Sequence, residues 1–281
     1  MKTKIKNRIF VLAVGLVLFA AAQLAGVWAA QKLSLSEKIG SVPSVGDMSF
    51  SDLIVLILVA AVFIWFGIRF RNYGGWMFRI VMTIAVISGL YAVAQLFLPV
   101  LPAFILSLVL AAVYWILRNV FAHDLIMLFV FIGIGASLSL SFTPLLAAAV
   151  LLVFSIYDII SVYGTKHMVA MADAMIESRA IFGFVIPFKL VGFKDNINKV
   201  YSGGEHMMLG SGDVLLPILL SGSLIRVSLS SAVIVALASV GGFILMHLLF
   251  LTQEKRKPMA ALPPIAAAAI IGYLAASILN F

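Results

Sequence analysis

The sequence predicts an all-α, polytopic membrane protein built as a bundle of nine transmembrane helices. Of its 281 residues, 64% are hydrophobic and only 11% are charged, whereas a soluble domain carries about 25% charged residues. Apolar runs of about 20 residues, the length that spans a bilayer as a helix, recur along the whole chain. The runs lack the alternating pattern of a membrane barrel, and only helices can then satisfy the backbone hydrogen bonds in lipid.

The apolar runs define the nine helices, here called spans one to nine. A helix rises about 1.5 Å per residue, so about 20 residues cross the roughly 30 Å of hydrocarbon. In chain order the spans are residues 9–30, 50–68, 78–98, 102–120, 124–141, 144–163, 212–227, 229–251 and 260–279. Most prolines lie near the ends of these spans, where proline disturbs a helix least. Pro217, inside span seven, should weaken the first turn of that helix.

Span one begins with basic residues and ends in small residues, as a signal peptide does. Its apolar run is longer than the apolar part of a typical signal peptide, which favours a helix that is retained. In either case, the loop that follows lies outside.

The basic residues indicate how the spans are oriented, because Lys and Arg concentrate in cytoplasmic loops. With the N-terminus inside, all but three of the 19 Lys and Arg residues fall on the inner side. The exceptions are Lys32, Lys38 and Arg226. We therefore expect a multi-pass protein of the cell membrane with a cytoplasmic N-terminus and an extracytoplasmic C-terminus. The net charge of +8 reflects these loop clusters, and we expect no nucleic-acid partner.

Residues 1–281 are expected to form a single transmembrane domain with one long loop. Residues 1–163 hold spans one to six, residues 164–211 form the cytoplasmic loop, and residues 212–281 hold the last three spans. A loop of this length in a compact protein is commonly functional. Its middle, IFGFVIPFKLVGF, is apolar but interrupted by Pro187 and Lys189. We interpret it as a partly buried or interfacial segment rather than a tenth span.

Two acidic residues stand apart from the other nine, which belong to loops or helix edges. Asp158 lies inside span six and Asp213 lies at the start of span seven. A charged side chain at the centre of a membrane helix costs about 2.5–3.5 kcal/mol on insertion scales, so such residues are functional candidates. Span six ends near Gly164 on the inner side and span seven begins there again. Both carboxylates therefore fall in the inner third of the membrane, where antiparallel neighbours could bring them together.

A close pair of carboxylates is the working part of an aspartic protease. Two such groups in a site of low dielectric constant cannot both ionise, so the pair shares one proton. One carboxylate takes a proton from the attacking water, and the protonated partner stabilises the peptide carbonyl oxygen. The sequence does not assign these two roles to individual residues. Gly210 and Gly212, just before Asp213, would allow close backbone approach or unusual dihedral angles, or form only a flexible joint.

Three motifs carry a resemblance that covers the whole chain. They are YD at Tyr157 and Asp158, GSGD at residues 210–213, and ALP at residues 261–263. Their order, their spacing and the nine spans resemble the presenilin and signal peptide peptidase family of intramembrane aspartyl proteases, and most closely a microbial presenilin homologue. The resemblance implies cleavage of peptide bonds within transmembrane helices or signal peptides by an Asp dyad and water.

The resemblance also implies roles for individual residues. Asp158 and Asp213 would be the catalytic pair. Ala260, Ala261 and Leu262 would occupy the positions of the family's Pro-Ala-Leu motif, which helps to shape the site and hold the substrate, and Ala261, Leu262 and Pro263 are the candidate positioning residues here. The family has proline where this sequence has Ala260. Presenilins share the orientation indicated by the basic residues, and signal peptide peptidases are inverted. The segment GDVLLP nevertheless looks closer to the signal peptide peptidase form.

The main alternative is a secondary transporter in which paired acids bind protons or sodium ions. Such transporters normally contain inverted repeats, and the sequence shows none. A second alternative is a type IV prepilin peptidase, which also carries a G-x-G-D motif. Its aspartates belong to cytoplasmic parts of a smaller bundle, and the YD and ALP motifs would then have no explanation.

Other protease chemistries have little support in the sequence. The chain contains no cysteine and no H-E-x-x-H motif, so thiol chemistry is excluded and a zinc site is not indicated. The segment GASLS at residues 135–139 is interpreted as a packing contact between membrane helices. We expect no metal and no cofactor. The expected partners are transmembrane or signal-peptide substrates and the lipid bilayer, and the sequence leaves open a homo-oligomer or accessory subunits.

Overall fold

The structure is a computed structural model, and it describes residues 2–38, 46, 48–49, 51–52, 54–55, 71–165, 175–201, 205–252 and 259–279. In chain order its main elements are α1 (Lys2–Lys38), α2 (Arg71–Ala94), α3 (Val100–Ile116), α4 (Val120–Ser139), α5 (Pro144–Ile159), β1 (Gly183–Pro187), β2 (His206–Gly210), α6 (Ser211–Ser223), α7 (Leu229–Thr252) and α8 (Leu262–Ile278).

The described helices confirm the helical, membrane-spanning character of the chain. Five of them are long and apolar enough to cross a membrane: α1, α2, α4, α7 and α5 with its extension to Gly164. These correspond to predicted spans one, three, five, eight and six. The helices α3 and α8, which match spans four and nine, are shorter, with 17 residues each. Span two, residues 50–68, lies mostly outside the described residues.

Helix α6, which corresponds to span seven, is the shortest of the eight helices named above. It has 13 residues, and a 3-10 turn continues the chain to Arg226. At about 1.5 Å per residue, 13 residues cover only about 20 Å. Most of its side chains are buried, including every one from Pro217 to Ser223. The apolar sequence of α6 therefore reflects its place inside the bundle.

Glycines on two helices make room for α6 at the centre of the fold. Helix α1 packs against α4, α6 and α7. Ile218 of α6 is fully buried and lies against Gly26 of α1 and Gly135 of α4. A Cβ atom at residue 26 or 135 would come within 2.7 or 2.6 Å of Ile218 Cγ2. The interpretation of the GASLS segment as a packing contact is thus confirmed at Gly135.

The expectation of an all-α fold is wrong in the long loop, where β1 and β2 form a two-stranded antiparallel ribbon. The register runs from Gly183 opposite Gly210 to Pro187 opposite His206. Strand β1 is buried along its whole length, whereas Leu190 and the residue after it are exposed. The interpretation of this apolar loop segment as partly buried, and not as a tenth span, is confirmed.

Candidate active site

Asp158 lies at the C-terminal end of α5. The helix begins after the N-cap Thr143 and changes to a wider π-helical turn at Ile160–Gly164, a feature that is frequent at functional sites. The Asp158 side chain is only 3% exposed. Its Oδ2 atom accepts a hydrogen bond of 3.1 Å from the backbone N–H of Leu262. The carboxylate is therefore held from outside its own helix.

The group that holds Asp158 is the beginning of α8, which contains the ALP motif. Ala261 is the N-cap, and Leu262 and Pro263 are the first two residues of the helix. The first N–H groups of a helix have no acceptor within the helix, and Pro263 has no N–H to leave unpaired. The Leu262 N–H can therefore bond the carboxylate, and the positive end of the helix dipole favours this negative charge. The backbone of Ala261 also interacts with Asp158.

Asp213 lies in the first turn of α6, directly after β2. Gly210 is the N-cap of this helix, and its backbone N–H donates to Asp213 Oδ2 at 3.2 Å. Gly210 has φ −65°, and Gly212 also lies outside the left-handed region. The expectation that these glycines permit unusual dihedral angles is therefore wrong. Close approach does apply to Gly210, because a Cβ atom there would lie 3.3 Å from Asp213 Oδ2, whereas one at Gly212 would meet open space.

The fold brings the two carboxylates together. Helices α5, α6 and α8 pack against one another, and Asp158 and Asp213 are close enough for their charges to interact. The meeting point is the C-terminal end of α5 and the N-terminal ends of α6 and α8. Among the described residues, no three acidic or histidine side chains cluster in a way that could hold a metal ion.

The side chain of Tyr157, the other residue of the YD motif, points away from the buried Asp158. Its side chain is 45% exposed, and its ring packs edge-on against Phe154 on the outer face of α5. Successive residues on a helix are about 100° apart, so the buried position of Asp158 leaves its neighbour outside.

A sequence profile of the family described as signal-peptide peptidase, presenilin aspartyl protease matches residues 11–280. The chain belongs to this family. It is thus an intramembrane aspartyl protease, and this membership does not favour the transporter alternative. The match covers all three motifs, so the resemblance inferred from the YD, GSGD and ALP segments is confirmed at the level of the family.

Solved structures support the same fold for this presenilin family member. The chain is similar to a presenilin family intramembrane aspartate protease solved in space groups C222 and P2, with TM-scores of 0.60 and 0.63 and sequence identities of 18% and 19%. Each alignment covers 94% of this chain and 96% of the other. A search among curated protein sequences gives no match.

Three buried polar residues near the site were not predicted from the sequence. Gln23 of α1 is fully buried, and its Nε2 atom donates to the carbonyl of Val214, next to Asp213, at 3.0 Å. His123 and Asp124 of α4 are buried and bond to β1. The sequence placed Asp124 at a helix edge because span five was expected to begin at residue 124, whereas α4 begins at Val120. Their polarity within an apolar run was the available signal.

Proposed function

We propose that Asp158 and Asp213 are the catalytic pair with which this protease hydrolyses peptide bonds inside transmembrane segments or signal peptides. The observation that carries the proposal is the convergence of the two carboxylates where α5, α6 and α8 meet. Each one is fixed by a backbone N–H, from Leu262 in one case and from Gly210 in the other. Both donors lie at the N-terminal ends of helices, so the positions of the carboxylates are set by the backbone of the bundle.

The pair would act through a shared proton. One carboxylate accepts a proton from a water molecule as the water oxygen attacks the peptide carbonyl carbon, and the other donates its hydrogen bond to the carbonyl oxygen. The tetrahedral intermediate then collapses, the C–N bond breaks, and the leaving amine takes up a proton from the pair. Since the proton belongs to both groups, neither residue is assigned as the acid or the base.

A substrate helix must unwind before water can reach a peptide carbonyl, because helical carbonyls are occupied by hydrogen bonds. The ribbon supplies an acceptor for the unwound segment. The Phe188 N–H donates to the Glu205 carbonyl at 3.0 Å, so these two residues form a hydrogen-bonded pair. Hydrogen-bonded and non-hydrogen-bonded pairs alternate along an antiparallel ribbon. Met208, three positions after Glu205, therefore belongs to a non-hydrogen-bonded pair, and its backbone groups point away from β1. We propose that the substrate adds as a strand to this outer edge of β2, which leads directly to Asp213.

Cleavage of a single-span test substrate by the purified protein in detergent tests the catalytic pair. We expect Asp158→Asn and Asp213→Asn to abolish cleavage without changing the melting temperature by more than a few degrees. Asp52→Asn is the matched control, because Asp52 is exposed and bonds only locally to Ser49 among the described residues. Cleavage that survives either change at the pair would refute the assignment.

The proposal includes a single protease domain in the cell membrane, with the N-terminus in the cytoplasm and the C-terminus outside. The distribution of Lys and Arg supports this orientation. Epitope tags at the two ends of the chain, exposed to protease in sealed cells and in inverted vesicles, test it. An N-terminal tag that is digested from outside would show the opposite orientation.

A further inference from the structure

Side chains of α4 bond the edge of β1 that faces away from β2. Asp124 Oδ1 accepts a hydrogen bond of 2.8 Å from the Val185 N–H, and His123 Nε2 lies 2.9 Å from the Gly183 carbonyl oxygen. In the ribbon register, Gly183 and Val185 are the positions whose backbone groups point away from β2. Two consecutive side chains thus take the place of a third strand along this edge.

Bonding and burial together set the state of His123. A carbonyl oxygen can only accept, so Nε2 carries the proton. Burial disfavours a charged ring, so Nδ1 is left as an acceptor for the Tyr114 hydroxyl, which lies 3.3 Å away. His123 and Asp124 are 1% and 2% exposed. In such a dry environment an unpaired backbone N–H or carbonyl is costly, so β1 is held firmly in register with α4.

Direct backbone contacts fix the position of β2 relative to β1. Gly183 lies opposite Gly210, and a Cβ atom at residue 183 would come within 2.4 Å of the Leu209 carbonyl oxygen. The Ser211 N–H also donates to the Phe182 carbonyl at 3.2 Å, which ties the first residue of α6 to the chain just before β1. Asp213 is in the first turn of that helix, so little freedom remains between α4 and Asp213.

We propose that His123 and Asp124 are positioning residues that fix the register of the ribbon against the catalytic pair. They set which peptide bond of a substrate strand on β2 lies at Asp213. This inference rests on the proposed function. A purely structural role would affect only how much protein folds, whereas a positioning role also affects where the substrate is cut and how well it binds.

Two pairs of variants separate these roles. Asp124→Leu removes the acceptor for the Val185 N–H, and Asp124→Asn keeps an oxygen in its place. His123→Leu and His123→Gln form the second pair, because glutamine retains an N–H for the Gly183 carbonyl. Ser139→Ala is the matched control, since Ser139 is a buried polar residue of the same helix whose hydroxyl, within the described part of the chain, bonds only to the nearby Ala136 carbonyl.

Three measurements are made on each folded variant in detergent: kcat and KM, the cleavage positions by mass spectrometry, and hydrogen exchange of residues 183–187. We expect both leucine variants to raise KM, lower kcat/KM about tenfold or more, and spread the cleavage over neighbouring bonds, since small misplacements at a reacting centre are costly. Exchange in β1 should rise. The Asn, Gln and Ala variants should stay within about threefold of the unchanged protein and cut at the same positions.

The proposal is overturned if the two leucine variants fold and both keep the original KM and cleavage positions. It is also overturned if hydrogen exchange in β1 does not change in them. If one leucine variant fails to fold, the other pair decides. If neither folds while Asn and Gln behave like the unchanged protein, the residues are structural only and the proposal fails. Failure of the proposed function would give a different result. The unchanged protein would then fail to cleave, or Asp158→Asn would still cleave, irrespective of hydrogen exchange in β1.

Discussion

The carboxylate of Asp158 accepts a hydrogen bond from the backbone N–H of Leu262, which lies 104 residues further along the chain, at 3.1 Å. The bond joins the C-terminal end of α5 to the N-terminal end of α8. It makes the ALP motif part of the scaffold of the candidate catalytic pair, since a shift of this helix start would move Asp158.

Pro263 should matter through the rigidity that it gives to the start of α8. Its ring fixes φ near the helical value and so stabilises the first turn of the helix, to which the Leu262 N–H belongs. We expect Pro263→Gly to lower kcat/KM about tenfold, because small displacements of catalytic groups are costly. Pro263→Ala, which keeps good helix propensity, should have a smaller effect. Equal activity of the two variants would show that backbone rigidity at this position is unimportant.

Gly210→Ala should act on Asp213. The backbone of Gly210, with φ −65° and ψ 153°, is accessible to alanine, so the fold should tolerate the change. The new Cβ atom would lie 3.3 Å from Asp213 Oδ2, and the carboxylate would have to move. We expect kcat to fall several-fold with KM nearly unchanged, as measured with the single-span substrate. A normal kcat would mean that Asp213 shifts without consequence.

Gly212→Ala should have a different kinetic signature. A Cβ atom at residue 212 meets open space, and alanine is favoured over glycine inside a helix by about 1 kcal/mol. We therefore expect the melting temperature to be equal or slightly higher. If the substrate strand passes beside Asp213 as proposed, the methyl group lies in its path and KM rises several-fold. An unchanged KM would place the substrate elsewhere.

Gly26→Ala tests the packing that supports α6. Its Cβ atom would come within 2.7 Å of Ile218 Cγ2, and such overpacking costs about 1–3 kcal/mol. Ile218→Ala alone should also destabilise the protein, by about 2–5 kcal/mol, through loss of a buried side chain. In the double variant the new methyl group partly fills the space that was vacated. In thermal melts, the destabilisation of the double variant should therefore be smaller than the sum of the destabilisations of the two single variants. Strict additivity would contradict the contact.

Much of the candidate site could be predicted from local sequence. Asp158 and Asp213 stand out because a carboxylate in an apolar run is costly in free energy whether the run faces lipid or the protein interior. This can be recognised without knowledge of the contacts. The ordering of the YD, GSGD and ALP motifs indicated the family in the same way. Tyr157 shows the limit of motif reasoning, because membership of a motif did not place its side chain at the site.

The sequence alone determined that this chain is a helical membrane protein of the presenilin and signal peptide peptidase family. Each span and each motif is a short continuous segment, and the order of the motifs is given directly by the chain. Only the tertiary structure decided the β1–β2 ribbon, the burial of Asp124 and the bond from Leu262 to Asp158. In a membrane protein both lipid and the protein core select apolar side chains, so the sequence does not distinguish an outward face from an inward one. Contacts between distant segments therefore leave little trace in the hydrophobic pattern, and they become visible only when the helices are packed.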